Sequence, residues 1–404
     1  MSKGKIKNNA TLLYEKARSI AEHYGFISFQ NIVGQAGVER GKKIVVHPPK
    51  DGVAGEADRP SIMKAHIDYN FSALPQPLMI YHSEPLPKDS EVPESSRKNA
   101  VQFSLEIIGS SKSIAEATLF KTTFAILRDL GFENFAITIN SLGDRDSVNR
   151  FVREFTAYYR KRIEEVPTHC RSLLKKDVFK VLECAQDKCM LVKEQAPKPI
   201  ATLTEESRSH FTEVLEFLES MDVPYTINNC LVGGKDFYTK TIFEVVSTES
   251  TNKLFPKLKV GKILARGGRY DDLAKKYGVK KEVPGVGISI TFGDMIVHEM
   301  RPKRTDKPTK KPSVYLIHLG FSAKQQSLSA LEILRKAKIP VYQSLSRDRI
   351  SVQVINAEKM RVPYTIIIGQ KEALEGTAIV RNMKNRSQET VLLPTLPEYL
   401  RSVR

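Results

Sequence analysis

Two segments constrain this chain more than anything else in it: Leu231-Val-Gly-Gly-Lys-Asp-Phe-Tyr-Thr-Lys-Thr-Ile-Phe-Glu244 and Leu264-Ala-Arg-Gly-Gly-Arg-Tyr-Asp-Asp-Leu273. In the first, Thr241, Phe243 and Val245 alternate with Ile242, Glu244 and Val246, the period of a strand in an antiparallel sheet with one wet face. The second reads as a Gly-Gly break followed by polar side chains and a helical run. A glycine pair lets backbone pass close to a ligand, and Arg269, Tyr270 and Asp271 carry the groups to hydrogen-bond one. At 404 residues with 41% hydrophobic content, the chain has room for two or three soluble domains. Its formal charge of +17 favours a polyanionic partner, because each Lys or Arg that neutralises a phosphate releases a counterion. Four cysteines argue against a disulfide framework. The basic N-terminus runs into an amphipathic pattern rather than an apolar signal core, so no membrane anchor and a cytoplasmic location are expected.

In chain order, Asn9 to His23 carries apolar residues at helical spacing and ends near Gly25, and Phe29 to Gly34 is expected as the next strand. Val46 to Arg59, rich in Pro, Gly and Asp, reads as a loop. Gln102 and Glu106, four apart in a strand, share one face. Ile114 to Leu130 is an amphipathic helix closed by Gly131, and Phe135 to Asp144 a strand ending in a turn. From 146 to 222 the pattern is a helical insertion, with Asp146 as its cap and Phe151, Phe155 and Tyr158 on one face. It contains Cys170, Cys184 and Cys189, with His169 adjacent; three thiols and an imidazole could form a tetrahedral zinc site, and reduced structural thiols are the alternative. Arg301 to Pro312 is a basic, proline-punctuated linker marking a separable domain. Beyond it, strand and helix patterns alternate from Ser313 to the Thr377 strand, implying an α/β sheet.

The two opening segments resemble the signatures LVRGLDYYxxTVFE and GGGRYDGL of histidyl-tRNA synthetases. Gln102 to Gly109 is similar to the family's QxxxExxG, and Ile139-Asn-Ser-Leu-Gly-Asp144 to another of its strings. The resemblance spans nearly the whole chain. It implies an α/β chain with an α+β core: residues 1–300 form a class II synthetase antiparallel sheet flanked by helices and interrupted by the 146–222 insertion, then the 301–312 linker, then an anticodon-binding-like domain at 313–404. By the same resemblance Gln102 and Glu106 contact a substrate histidine, and Tyr238, Arg269 and Tyr270 join the ligand-binding set. Lys88 stands where an arginine clamps the ATP α-phosphate; lysine keeps the charge but loses the planar fork. Lys371, Arg381, Lys384 and Arg386 would meet RNA phosphates, and a homodimer would form through Asn9 to Gly34. Cys184 to Cys189 resembles a segment LDCKxxxC of many members.

Several positions depart from the family pattern. Gly233 stands at the arginine of LVRG, Asp294 at the third-motif arginine, and Ala57 where a carboxylate is usual. Arg266 or Lys235 could restore some positive charge. These departures point to a synthetase-like protein that binds tRNA or tRNA-like RNA with histidine and ATP activation lost or weakened. The alternative is a divergent active histidine–tRNA ligase using ATP and Mg. A third reading, a regulatory subunit like that of ATP phosphoribosyltransferase, is disfavoured by Ser313 to Arg404.

Overall fold

The computed structural model describes residues 3–36, 59–85, 101–184, 186–233, 238–248, 261–292, 313–343, 345 and 349–403. Its larger sheet has eight strands: β1 (Ile27–Ser28), β2 (Leu78–Pro85), β3 (Val101–Ile108), β4 (Phe135–Gly143), β5 (Tyr225–Ile227), β6 (Thr239–Ser247), β7 (Ile263–Arg269) and β8 (Gly285–Thr291). Their spatial order is β1-β2-β3-β8-β7-β6-β4-β5. The six inner strands pair antiparallel, while β1 and β5 add parallel at the two edges.

Alternation along the central strands builds two different faces. On β3, Phe103, Leu105 and Ile107 enter one hydrophobic core, and on β8 Val286, Ile288 and Ile290 join them. Helices Ile114–Asp129 and Glu205–Ser220 close that core with Phe120, Phe124, Phe211 and Phe217. The intervening residues Gln102, Ser104 and Glu106 point the other way and stand opposite Thr291, Ser289 and Gly287 in the β3–β8 register. All three of these β3 side chains are buried. A sheet with polar side chains buried on one face must satisfy them there.

Three local expectations need correction. Phe29 to Gly34 is helical rather than extended: Ser28 caps a helix over Phe29–Gln35 by accepting from the Asn31 amide, and Phe29, Ile32 and Val33 bury one face at the i, i+3, i+4 spacing. Gly267 and Gly268 do not break the chain; they lie inside β7, paired on both sides. A Cβ at Gly267 would sit 2.2 Å from the Gly287 carbonyl oxygen, so close packing between strands explains that glycine. Asp146 is not the helix cap. Asp144 caps Arg145–Lys161, with its carboxylate accepting from the Ser147 amide at 2.9 Å. A second hydrophobic cluster joins that helix to Thr168–Lys176, Val178–Glu183 and Asp187–Glu194.

The C-terminal segment forms a five-stranded sheet of order β10-β9-β11-β12-β13, comprising β9 (Val314–His318), β10 (Val341–Gln343), β11 (Tyr364–Ile368), β12 (Thr377–Asn382) and β13 (Gln388–Leu392). The first three are parallel and the last two antiparallel. Helix Phe321–Lys336 docks directly on the larger unit: the Phe321 ring lies 4.8 Å from that of Phe217, Tyr24 donates to Glu332 at 2.6 Å, and Arg335 meets Asp129 at 3.5 Å. One hydrophobic cluster therefore runs through both units. The linker call at Arg301 to Pro312 lies outside the described residues. Among the described residues no helix is long and apolar enough to cross a membrane.

Candidate functional site

The polar face of β3 and β8 is organised around Glu106, which is fully buried. Gly287 makes room for it, since a Cβ there would fall 1.7 Å from a Glu106 carboxylate oxygen. Tyr270, delivered by the end of β7, donates its hydroxyl to Glu106 Oε2 at 2.6 Å. The other oxygen, Oε1, faces Arg59 Nε at 3.3 Å. Arg59 opens the helix Arg59–Asp68 and is itself fully buried. Its Nη1 donates to the Tyr238 hydroxyl at 2.9 Å and its Nη2 to Ser289 Oγ at 3.3 Å. Ser104 links Ser289 at 2.9 Å to Gln102 at 3.1 Å, completing the chain of polar groups. An internal guanidinium thus engages a carboxylate and a phenol that converge from distant parts of the chain.

Of the six ligand-binding candidates, the structure brings Gln102, Glu106, Tyr238 and Tyr270 into this one site. Arg269 serves a different cluster. Its Nε and Nη2 donate to both oxygens of Glu116, at 2.8 and 2.5 Å, while Nη1 donates to the Ser110 carbonyl oxygen and to Asp271. Glu116 also accepts from Thr241 at 2.9 Å and lies 2.8 Å from His210 Nε2. Burial alone would raise the Glu116 pKa, but Arg269 and His210 outweigh it and hold the carboxyl well below the usual range. Lys88, Asp294, Lys235 and Ala57 lie outside the described residues. Gly233 is described: its φ is +53°, and a Cβ would stand 3.0 Å from Ile242 and 3.2 Å from the Tyr238 ring. Arg266 is engaged by Glu244 at 2.8 Å.

Of the RNA-contact candidates, Arg381 lies next to the end of β12, and Lys384 and Arg386 lie between β12 and β13. Lys371 lies on the helix Gln370–Glu375, at the opposite end of β12, so these four do not form a single patch. Cys170, Cys184 and Cys189 do converge, with their sulfurs within 4.8 Å of one another, while His169 is exposed. No other group of three or more potential metal-ligating side chains converges among the described residues. Mg commonly relies on one or two carboxylates together with substrate phosphates.

Two participants escaped sequence reasoning. Glu116 had a signal, a carboxylate among the buried, mostly apolar positions of its helix. Arg59 had none at short range, since its partners Tyr238 and Ser289 are 179 and 230 positions away.

An antiparallel sheet with a buried polar face, helices behind it and a separate C-terminal α/β domain defines the class II aminoacyl-tRNA synthetase type of protein. The histidyl-tRNA synthetase model matches residues 60–294, and the anticodon-binding-domain model matches 313–403. The chain belongs to the histidyl-tRNA synthetase family. It is 29% identical over 343 residues to histidine–tRNA ligase 1 of Shouchella clausii, covering 84% of this chain and 78% of that one. It is 28% identical over 367 residues to the histidine–tRNA ligase of Caldicellulosiruptor saccharolyticus, covering 90% and 82%. In fold it is similar to apo S. aureus histidyl-tRNA synthetase, with a TM-score of 0.52 at 21% identity over 97% of this chain and 96% of that one.

Proposed function

We propose that this protein binds tRNA or tRNA-like RNA as a member of its family, with histidine activation weakened or lost because Arg59 fills its amino-acid pocket. The observation that carries the reading is the pairing of Arg59 with both Glu106 and Tyr238. A histidine substrate would offer a cationic ammonium and planar N–H donors. A guanidinium offers the same class of groups to the same acceptors. Gly233 and Asp294 support the reading, because losing one preorganised transition-state donor typically lowers the rate about a hundred- to a thousandfold. RNA binding rests on the charge of +17 and on the match of residues 313–403 to the anticodon-binding model. The proposal includes a cytoplasmic homodimer formed through the class II core. A sedimentation mass near the 45.5 kDa of one chain at micromolar concentration would remove the dimer.

A second reading, a divergent active ligase, is favoured by the assembled Glu106, Tyr270 and Tyr238 and by relatives named histidine–tRNA ligase. Histidine-dependent ATP–pyrophosphate exchange on the purified full-length chain separates the two. Exchange about a hundredfold or more below that of an active family ligase is expected, together with tRNA binding whose logarithmic salt slope is about −0.7 to −0.9 per neutralised phosphate. Exchange at ligase rates would establish the second reading. Absence of RNA binding at low salt would remove the RNA assignment.

A further inference from the structure

We propose that Cys170, Cys184 and Cys189 form a three-thiolate site for a zinc-class divalent cation, fastening together the small helices of the 168–194 segment. Three separate helical elements supply the ligands. Cys170 lies in Thr168–Lys176, Cys184 directly follows Val178–Glu183, and Cys189 lies in the first turn of Asp187–Glu194. Helices of 9, 6 and 8 residues are too short to be stable alone, so a crosslink between them has structural value.

The sulfur geometry suits a metal. The Cys170 and Cys184 sulfurs are 3.2 Å apart, and all three lie within 4.8 Å of one another. Those separations bracket the edge of about 3.8 Å that a tetrahedron with metal–sulfur bonds of about 2.3 Å requires. A disulfide joins two sulfurs, whereas this arrangement gathers three. Soft thiolate ligands select zinc over magnesium or calcium.

The surroundings supply groups that thiolates would use. The Gln186 amide is directed at the Cys184 sulfur, and the Lys193 ammonium lies close, donating to the carbonyl oxygens of Leu182 at 2.6 Å and Cys184 at 2.9 Å. The Tyr159 hydroxyl is fully buried, has no nitrogen or oxygen partner, and faces Cys189. It is placed to donate to a metal-bound sulfur, as outer groups around metal sites commonly do. Cys170 and Cys189 are buried and Cys184 is partly exposed, which leaves one side open for metal entry and for a solvent fourth ligand. Residues 186–188, just before Cys189, border a surface cleft of about 460 Å³ together with Pro167. Binding would expel the thiol protons to solvent and form three metal–sulfur bonds, with no change in oxidation state.

The test uses the full-length chain, reduced and purified without chelator, then loaded with zinc alone and desalted. Elemental analysis should find about one zinc per chain. Cys230→Ser, which removes the remaining cysteine, should keep that metal, and Cys184→Ser should lower zinc affinity at least about tenfold, in line with loss of a ligand or its support. Cobalt in place of zinc should give a sulfur-to-cobalt charge-transfer band and a tetrahedral visible spectrum, a readout on the parent chain that remains valid if Cys184→Ser fails to fold. Absence of zinc uptake by the reduced chain would overturn the site, as would loss of metal in Cys230→Ser or a cobalt spectrum without the thiolate band. A Cys170–Cys184 disulfide whose reduction yields no metal uptake would overturn it as well.

Discussion

Two fully buried arginine–glutamate pairs join helices to one sheet, and they are built differently. Arg269 grips both oxygens of Glu116, at 2.8 and 2.5 Å, and its remaining donors meet backbone carbonyls and Asp271. Arg59 Nε lies 3.3 Å from one oxygen of Glu106, and its Nη1 and Nη2 donate to two hydroxyls. A bidentate, saturated pair is a brace, here between β7 and helix Ile114–Asp129. A looser pair shared with hydroxyls presents acceptors that suit any planar cation. Burial is therefore a poor guide to purpose: equal exposure hides one contact suited to architecture and another shared among a carboxylate and hydroxyls on the polar face of the sheet.

The largest effect should come from breaking the brace. Arg269→Met leaves Glu116 charged and buried, and chemical denaturation should show a loss of about 3–5 kcal/mol. If the loss is no larger than that of Arg59→Ala, the distinction between the two pairs fails.

The pH profile sharpens the contrast. With its pKa held low, Glu116 stays ionised through mild acid, and its pairing still contributes at pH 4. His23 and His66 also lose stability in acid, but in a higher pH window. Burial lowers each pKa to about 4, helped at His23 by the charge of Arg335. Between pH 6.5 and 4 the unfolded chain thus binds more protons than the folded one. Stability is fully present above pH 6.5 and falls toward pH 4, by up to about 3 kcal/mol for each histidine. His23→Phe should flatten roughly its share of that decline; an unchanged slope in urea titrations across the window would rule out His23 as the source.

A smaller loss, about 2 kcal/mol, is expected for Arg59→Ala, because Glu106 keeps the Tyr270 hydroxyl and can take up a proton. The distinguishing readout is rescue: imidazole or guanidinium at millimolar concentration should raise the melting temperature of Arg59→Ala and leave Arg269→Met unchanged. Equal responses would show that the Arg59 cavity has no special affinity for planar cations. Smallest of all, Gly233→Ala should lose about 1–2 kcal/mol, because its left-handed backbone disfavours a Cβ. The new methyl would also press on Tyr238. A melting curve unchanged by that substitution would disconnect Gly233 from the Arg59 side of the comparison.

Much of this architecture was legible in the sequence because it depends on local periodicity. The alternation through Gln102 and Glu106 correctly placed both on one face, and the β6 pattern around Phe243 was recovered as a strand. Strand β13, with the mostly exposed residues Gln388-Glu-Thr-Val-Leu392, lacks that alternation and was not anticipated. The Gly-Gly segment suggests a break in sequence because a glycine pair looks the same in a turn as in a tightly packed strand. The seating of Arg59 was invisible for a different reason: a side chain that folds into a pocket assembled from β3, β8 and Tyr238 leaves no mark on its own neighbours. The docking of Phe321 against Phe217 was likewise hidden, since the linker composition suggested independence while the contact depends on helices far apart in the chain.

Any outside molecule that needs Glu106 and Tyr238 meets Arg59 as a tethered competitor. Its apparent dissociation constant is the intrinsic value divided by the fraction of molecules in which Arg59 has withdrawn. Each 1.4 kcal/mol, roughly, by which the seated arginine is favoured weakens that molecule about tenfold. Dilution cannot remove a competitor carried on the same chain. For such a molecule the position of one helix start, Arg59–Asp68, matters alongside its own concentration.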